Sequence, residues 1–345
     1  MKLRRPRRLR RGARLAAVSL SWGGPGTFPH RYEAGRRQLE EAFGVEVVAM
    51  PHALADPDFI AAHPQARADD LHAALTDPAI DGIVSTIGGD DSIRLLPLLD
   101  LDMIRVHPKV LIGHSDTTVT HLACLRAGVQ TFYGPSIMAG FGENGGLHDY
   151  LRRGVERMLF SDEPPGHWPQ NADGWTGELL DWADPANQSR VRTLRPSTGW
   201  RWLTRAGPVE GPLIPACMEV LDWLRGTMWW PALDGAVLAL ETSEEGPPPH
   251  TVIRLLRSLA AMGDLQHLAG LLFARPGGVD ADRHHAYDDA ITQVVHDEMG
   301  LDALPVVTNL DFGHTDPMWT LPVGGRVRVD DEAHVIEFVE PTTVD

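Results

Sequence analysis

The chain has 345 residues, of which 43% are hydrophobic and 23% charged, with a net charge of −16. That length predicts two domains, and the apolar content suffices for two cores and excludes a largely disordered chain. The charge is lopsided: the first 14 residues hold eight bases and no acid, leaving 23 bases against 47 acids in the remainder. A body so acidic repels a phosphate backbone and argues against nucleic acid as a partner. No run of about 18 apolar residues exists to span a membrane.

The basic opening (Arg4, Arg5, Arg7, Arg8, Arg10, Arg11) followed by Leu15–Leu20 has the outline of a secretory signal. Its apolar run is too short, and no small-residue cleavage site precedes Gly23 and Gly24. The expectation is a solvated basic tail ahead of a first strand, Arg14–Leu20, in a cytoplasmic protein. Helix and strand then alternate: a helix over His30–Phe43, a strand over Val45–Met50, a helix over Ala68–Leu75 and a strand over Ile80–Ile87. A short helix follows at Ser92–Leu99, then a strand Lys109–Gly113, a helix Thr117–Ala127 and a strand Val129–Tyr133. Apolar runs bounded by glycine and separated by helical periodicity mark βαβ units and a parallel sheet buried on both faces. Sites in such sheets gather beyond the carboxyl ends of the strands.

After a helix near Tyr150–Leu159 the composition changes. Residues 161–208 are rich in Pro, Gly, Asp and Trp and read as a linker with an irregular segment. The expected division is therefore 1–160, 161–208 and 209–345. The last part carries strands at Ala236–Leu240, Leu271–Ala274 and Val306–Leu310, and helices near Thr251–Met262 and His284–Met299. It ends in a hairpin, Gly325–Asp330 with His334–Val339. The fold class is α/β: an N-terminal flavodoxin-like parallel-sheet domain and a smaller β-rich α/β C-terminal domain.

Lys2 and Lys109 are the whole lysine complement. Neither follows a glycine-rich loop, which excludes P-loop chemistry. Cys124 and Cys217 lie far apart in apolar surroundings and read as buried small hydrophobes. No HExxH pattern or convincing ligand spacing points to a metal, and the Gly23-Gly24-Pro25-Gly26 loop does not match a dinucleotide fingerprint. No cofactor is expected.

The strongest local pattern is Leu111-Ile112-Gly113-His114-Ser115-Asp116-Thr117. A serine at a strand-to-helix turn is held out of the sheet beside the first free N–H groups of the helix, where a developing oxyanion is stabilised. Thr117 breaks the G-x-S-x-G of an α/β-hydrolase elbow, and Ser115 as a mere N-cap stays open as the second reading. Gly88-Gly89 ends another strand, either as an ordinary tight turn or as a second oxyanion donor. A serine nucleophile needs a base and an orienting carboxylate. His314, in a Gly/Pro loop after the strand Val306–Leu310, and Glu241, closing the apolar run from Val237, are the candidates. Glu244 and Glu245 read as a solvated run.

These motifs, in order, make the chain resemble the LD-carboxypeptidase family of serine peptidases, which includes murein tetrapeptide carboxypeptidases and microcin C immunity proteins. The resemblance runs from Leu9–Ser19 through Arg67–Ala74, Gly88-Gly89, Gly113-His114-Ser115-Asp116, Tyr133-Gly134-Pro135 and Leu240–Glu244 to Gly313-His314. It implies Ser115 as nucleophile, His314 as general base and Glu241 as its partner. It also implies backbone amides of Asp116 and of Gly88 or Gly89 as the oxyanion hole. A cytoplasmic, metal-free homodimer acting on a small peptide or a peptidyl-nucleotide is implied with it. Residues Gly88–Asp100 and Leu240–Glu245 look closer to the microcin-immunity branch, and Pro215-Ala216 departs from the Gly-Gly that relatives often carry in a loop near the substrate. The tryptophans Trp168, Trp175, Trp182, Trp200 and Trp202 either fill the second core or offer a face for a base to stack on. An α/β-hydrolase-type esterase and a non-catalytic small-ligand binding protein remain as alternatives.

Overall fold

The computed structural model describes residues 3–345. Five strands of the first half, β1 (Arg14–Val18), β2 (Glu46–Ala49), β3 (Gly82–Ser85), β4 (Val110–Gly113) and β5 (Thr131–Tyr133), form a parallel sheet in the order 2-1-3-4-5. This is the flavodoxin-like winding, with its topological switch point between β1 and β3. The sheet is buried on both faces because β3, β4 and β5 expose no residue to solvent and offer no polar side to turn outward.

The second sheet has eight strands. In chain order they are β6 (Gly166–His167), β7 (Arg201–Trp202), β8 (Val209–Cys217), β9 (Val237–Glu241), β10 (Gly270–Ala274) and β11 (Val306–Leu310), then, after β12 (Leu321–Val323), β13 (Arg326–Asp330) and β14 (Val335–Phe338). Its spatial order is 6-14-13-8-9-10-11-7, with parallel pairing from β8 to β11 and antiparallel edges. Strand β12 leaves this sheet and pairs antiparallel with β5, so the first sheet is completed by residues from near the end of the chain. Each of two continuous hydrophobic clusters draws on both sheets: Leu111 and Val119 pack in one cluster with Leu238 and Leu256, and Tyr133 and Phe132 in the other with Leu310 and Phe312. An interface that is itself hydrophobic core holds two domains as one body.

Three expectations need correction. The basic opening is not a solvated tail. Arg4 N donates to Gly128 O (2.8 Å), Arg8 N to Val344 O (2.8 Å) and Leu9 N to Leu159 O (2.7 Å), while Arg8 pairs with Asp345 (2.9 Å) and Leu9 is buried. Main-chain pairing and ion pairs together fix this segment. Secondly, Pro215 and Ala216 lie not in a loop but buried inside β8, a strand that two prolines concealed. Leu213 N and Cys217 N both donate away from β9, to Gly325 O (2.8 Å) and Thr118 Oγ1 (3.1 Å). Pro215 shares their parity, so its missing N–H costs the ladder with β9 nothing. Thirdly, the tryptophans divide. Trp168, Trp175 and Trp200 are buried, with Trp200 Nε1 donating to Asp311 Oδ2 (2.8 Å), while Trp182 lines a cavity. Among the described residues no helix is long and apolar enough to cross a membrane.

Candidate active site

Strands of both sheets end around one cavity of about 220 Å³. Its walls carry Gly88, Gly89 and Ser115 from the first sheet and Glu244 and His314 from the second, with Trp22 and Trp182 beside them.

Ser115 follows the end of β4 and sits at φ +59°, a left-handed conformation uncommon for a residue with a side chain. Its carbonyl accepts from Thr118 N (2.9 Å) and Thr118 Oγ1 (2.6 Å), opening the helix Thr117–Ala127. No side chain caps this helix, so Ser115 is not the N-cap residue that the sequence left open. A strained turn that presents a hydroxyl into a cavity is a feature of function rather than of helix stability. Gly88 packs against it: a Cβ there would lie 3.0 Å from Ser115 Oγ and 3.5 Å from Asp116 N. Among the described residues the backbone amides of Gly88, Gly89 and Asp116 have no acceptor. Gly88 and Asp116 lie directly beside the serine side chain, whereas Gly89 packs on Ser21 and Trp22. The Asp116 carboxylate holds the two loops together, accepting from Asp91 N (3.0 Å), Ser92 N (2.9 Å) and Ser92 Oγ (2.5 Å). Burial pushes its pKa up, against those hydrogen bonds.

Glu241 ends β9 fully buried, and His314 lies in the loop after β11. Glu241 Oε2 is 2.6 Å from His314 Nδ1, and its Oε1 accepts from Tyr133 Oη at 2.5 Å. The carboxylate thereby sets the imidazole tautomer, with the proton on Nδ1 and Nε2 left as the basic atom. Gly313, at φ +81°, makes this possible, because a Cβ there would come within 2.6 Å of the Glu241 side chain. Burial pushes the His314 imidazolium down, but the charge and hydrogen bond of Glu241, with Glu244 and Glu219 behind it, outweigh this and hold the pKa at about 9. The neighbouring ring of His114, 5.2 Å away, is driven to about 3 by burial and then by His314, and stays neutral.

The structure thus brings Ser115, Gly88, Gly89, Asp116, His314 and Glu241 to one place. It does not join Ser115 to His314 by a hydrogen bond. His314 Nε2 instead meets Glu244 Oε2 at 3.1 Å, so Glu244, exposed as the reading of a solvated run expects, also reaches the histidine. Tyr133 is the residue that sequence reasoning left without a role. Its hydroxyl accepts from Ser115 N (2.9 Å) and donates to Glu241, linking the serine turn to the carboxylate. A tyrosine closing a buried strand, where its hydroxyl needs a partner, was the available signal.

Likeness to known proteins gives the class, a two-domain carboxypeptidase-type hydrolase. The pattern of the LD-carboxypeptidase N-terminal domain matches residues 15–134, and that of the LD-carboxypeptidase C-terminal domain matches residues 210–329. The chain belongs to the LD-carboxypeptidase family. It is 30% identical over 285 residues to the microcin C7 self-immunity protein MccF of Escherichia coli, covering 79% of this chain and 78% of the relative. An MccF-like protein from Streptococcus pneumoniae, solved in complex with AMP, superposes with a TM-score of 0.86 at 30% identity, covering 95% of this chain and 99% of that one. MccF in complex with aspartyl sulfamoyl adenosine superposes with a TM-score of 0.85 at 25% identity, covering 99% of each chain.

Proposed function

We propose that the protein is a serine peptidase or amidase with a Ser115–His314–Glu241 triad, cleaving an amide in a small peptide or an aminoacyl- or peptidyl-nucleotide. The observation that carries this reading is the Glu241–His314 hydrogen bond of 2.6 Å in a cavity shared with a strained Ser115. In the reaction, Glu244 leaves His314 Nε2, the imidazolium gives its Nε2 proton to solvent, and the neutral Nε2 takes the Ser115 proton as Oγ attacks the amide carbonyl. The amides of Asp116 and of Gly88 or Gly89 receive the oxyanion. His314 then protonates the leaving amine, and an acyl group remains on Ser115. Water activated by His314 hydrolyses that ester and regenerates the serine. Glu241 stabilises the imidazolium throughout without taking its proton.

A nucleotide-linked amide is favoured by Trp182, whose ring lines the cavity with the Arg31 guanidinium 4.7 Å from its centroid. An aromatic ring with a cation on it is a surface suited to a planar base. The AMP and aspartyl sulfamoyl adenosine bound by the two relatives support the same class. Two incubations test the proposal, one with an aminoacyl sulfamoyl adenosine and one with a murein tetrapeptide, each followed by mass. Release of the sulfamoyl nucleoside is expected; release of the terminal D-residue alone places the activity on the murein L,D-bond instead. A fluorophosphonate probe is expected to label Ser115, and ligand binding with neither labelling nor turnover overturns the proposal. Residence in the cytoplasm and a homodimeric state belong to the same proposal, the latter checked by light scattering.

A further inference from the structure

The turn that carries Glu244 is braced, although the side chain itself is half exposed. The turn is closed by Gly246 N donating to Ser243 O (3.2 Å) and is braced by Ser243 Oγ bonded to Glu219 Oε1 (2.6 Å). Gly278, at φ +62°, packs so closely on the Glu244 carbonyl that a Cβ there would clash with it. Three carboxylates line the cavity. Glu178 pairs with Arg190 (2.7 Å) and Asp316 with Arg192 (2.6 Å), whereas among the described residues Glu244 meets only His314. The cavity's arginines are engaged too: Arg192 holds Glu143 and Asp316, and Arg31 donates to Met138 O, Asn144 and Gln188. Glu244 and Glu178 also line an adjoining open groove of about 590 Å³, whose remaining charged residues are Asp280, Arg195 and Arg283. Glu244 is the carboxylate shared by cavity and groove that lacks an arginine partner among the described residues.

We propose that Glu244 is a specificity-determining residue that selects substrates whose acyl residue carries a cationic side chain. The inference rests on the Ser115–His314–Glu241 reading and names its substrate class. Nε2 of His314 cannot accept the serine proton while Glu244 occupies it. A substrate ammonium or guanidinium gives the Glu244 carboxylate a better partner and takes away one anion that holds the imidazolium, so the Nε2 proton passes to solvent and binding the right substrate uncaps the base. An acidic side chain there meets a like charge and cannot draw Glu244 away from His314. The aspartyl ligand bound by MccF is of that opposite sign, so this chain is expected to differ from that relative in acyl preference.

The test uses lysyl, methionyl and glutamyl sulfamoyl adenosine, unbranched side chains of differing charge, together with the leucyl compound, with the wild-type protein and the Glu244→Gln and Glu244→Lys variants. Glu244 is half exposed, so neither substitution endangers the fold. Wild type is expected to show kcat/KM in the order lysyl, methionyl, glutamyl, with about tenfold or more between the ends, as a unit charge pair near a protein surface produces. Glu244→Gln should bring that ratio towards one, and Glu244→Lys should place glutamyl first. The same compounds are titrated calorimetrically into Ser115→Ala and its double variants at position 244. If wild type hydrolyses none of them while binding still ranks by charge and follows residue 244, the proposed chemistry fails and this inference stands. Equal affinities across the series, a ranking unmoved by residue 244, or no binding of any member overturns it.

Discussion

The two halves of the site are built on different physics. On the first-sheet side, Ser115 is positioned by backbone: a positive-φ turn, glycines admitting close approach, and the Asp116 carboxylate tying the Gly88-Gly89 loop to the serine turn through three hydrogen bonds. On the second-sheet side, His314 is positioned by charge, with Glu241, Glu244 and Glu219 acting on one buried imidazole. The first half is ready as it stands, since its donors have no competing acceptor. The second must rearrange before it acts. Geometry that is paid in advance suits a nucleophile and an oxyanion hole, whereas a base must change partner during turnover.

Substitutions on either side separate the two principles. Ser115→Ala should reduce turnover by several powers of ten with an unchanged melting temperature or a raised one, because the strained turn survives or relaxes. Glu241→Gln should lower kcat by about ten-thousandfold by favouring the wrong tautomer, and spare ligand binding measured calorimetrically. Asp116→Asn keeps the size of the tie but weakens its charge-assisted hydrogen bonds. A loss of about one to two powers of ten in kcat is expected, with KM less affected, as for a partly displaced oxyanion donor. Equal activity in Asp116→Asn and wild type would show that the loop pairing does not position the donors.

The smallest effect is on pH dependence. With the His314 pKa at about 9 in the free protein, the fraction of neutral base, and with it kcat/KM, rises as pH climbs towards that value. Groups facing the ring from the surrounding elements are Glu241, Glu244 and Glu219, which raise the pKa, and His114, which is neutral. Removing one carboxylate in Glu244→Gln should move the midpoint of the profile down. Stability runs the other way. A histidine raised above its ordinary value of about 6.5 contributes fully below that pH, and the contribution fades as pH rises through 9. Thermal melts of wild type and His314→Gln across this range should converge at the alkaline end.

The sheet strands and the residues at their ends were readable because buried parallel strands leave apolar runs, and a polar residue closing such a run needs a reason to be there. Ser115 and Glu241 stood out in this way as candidates, and His314 by its Gly/Pro loop after β11. What stayed hidden depended on partners far along the chain. The prolines of β8 look like breakers until Leu213 N and Cys217 N show which edge they face. The basic opening looks solvated until Val344 and Leu159 supply its acceptors. Glu244 was indistinguishable from Glu245 by composition, because only the placement of a loop by Gly278 and Glu219 turns one of them towards the histidine.

Strand β12 carries a consequence for how the protein is made. Synthesis proceeds from the amino end, and the five parallel strands emerge long before Leu321–Val323 exists to cover the open flank of β5. Until Leu321–Val323 has left the ribosome, the nascent first sheet therefore presents the bare strand that carries Tyr133, a template for unwanted pairing with a neighbouring copy. Chains that terminate early would keep that template for good, which makes them natural clients for holdase chaperones.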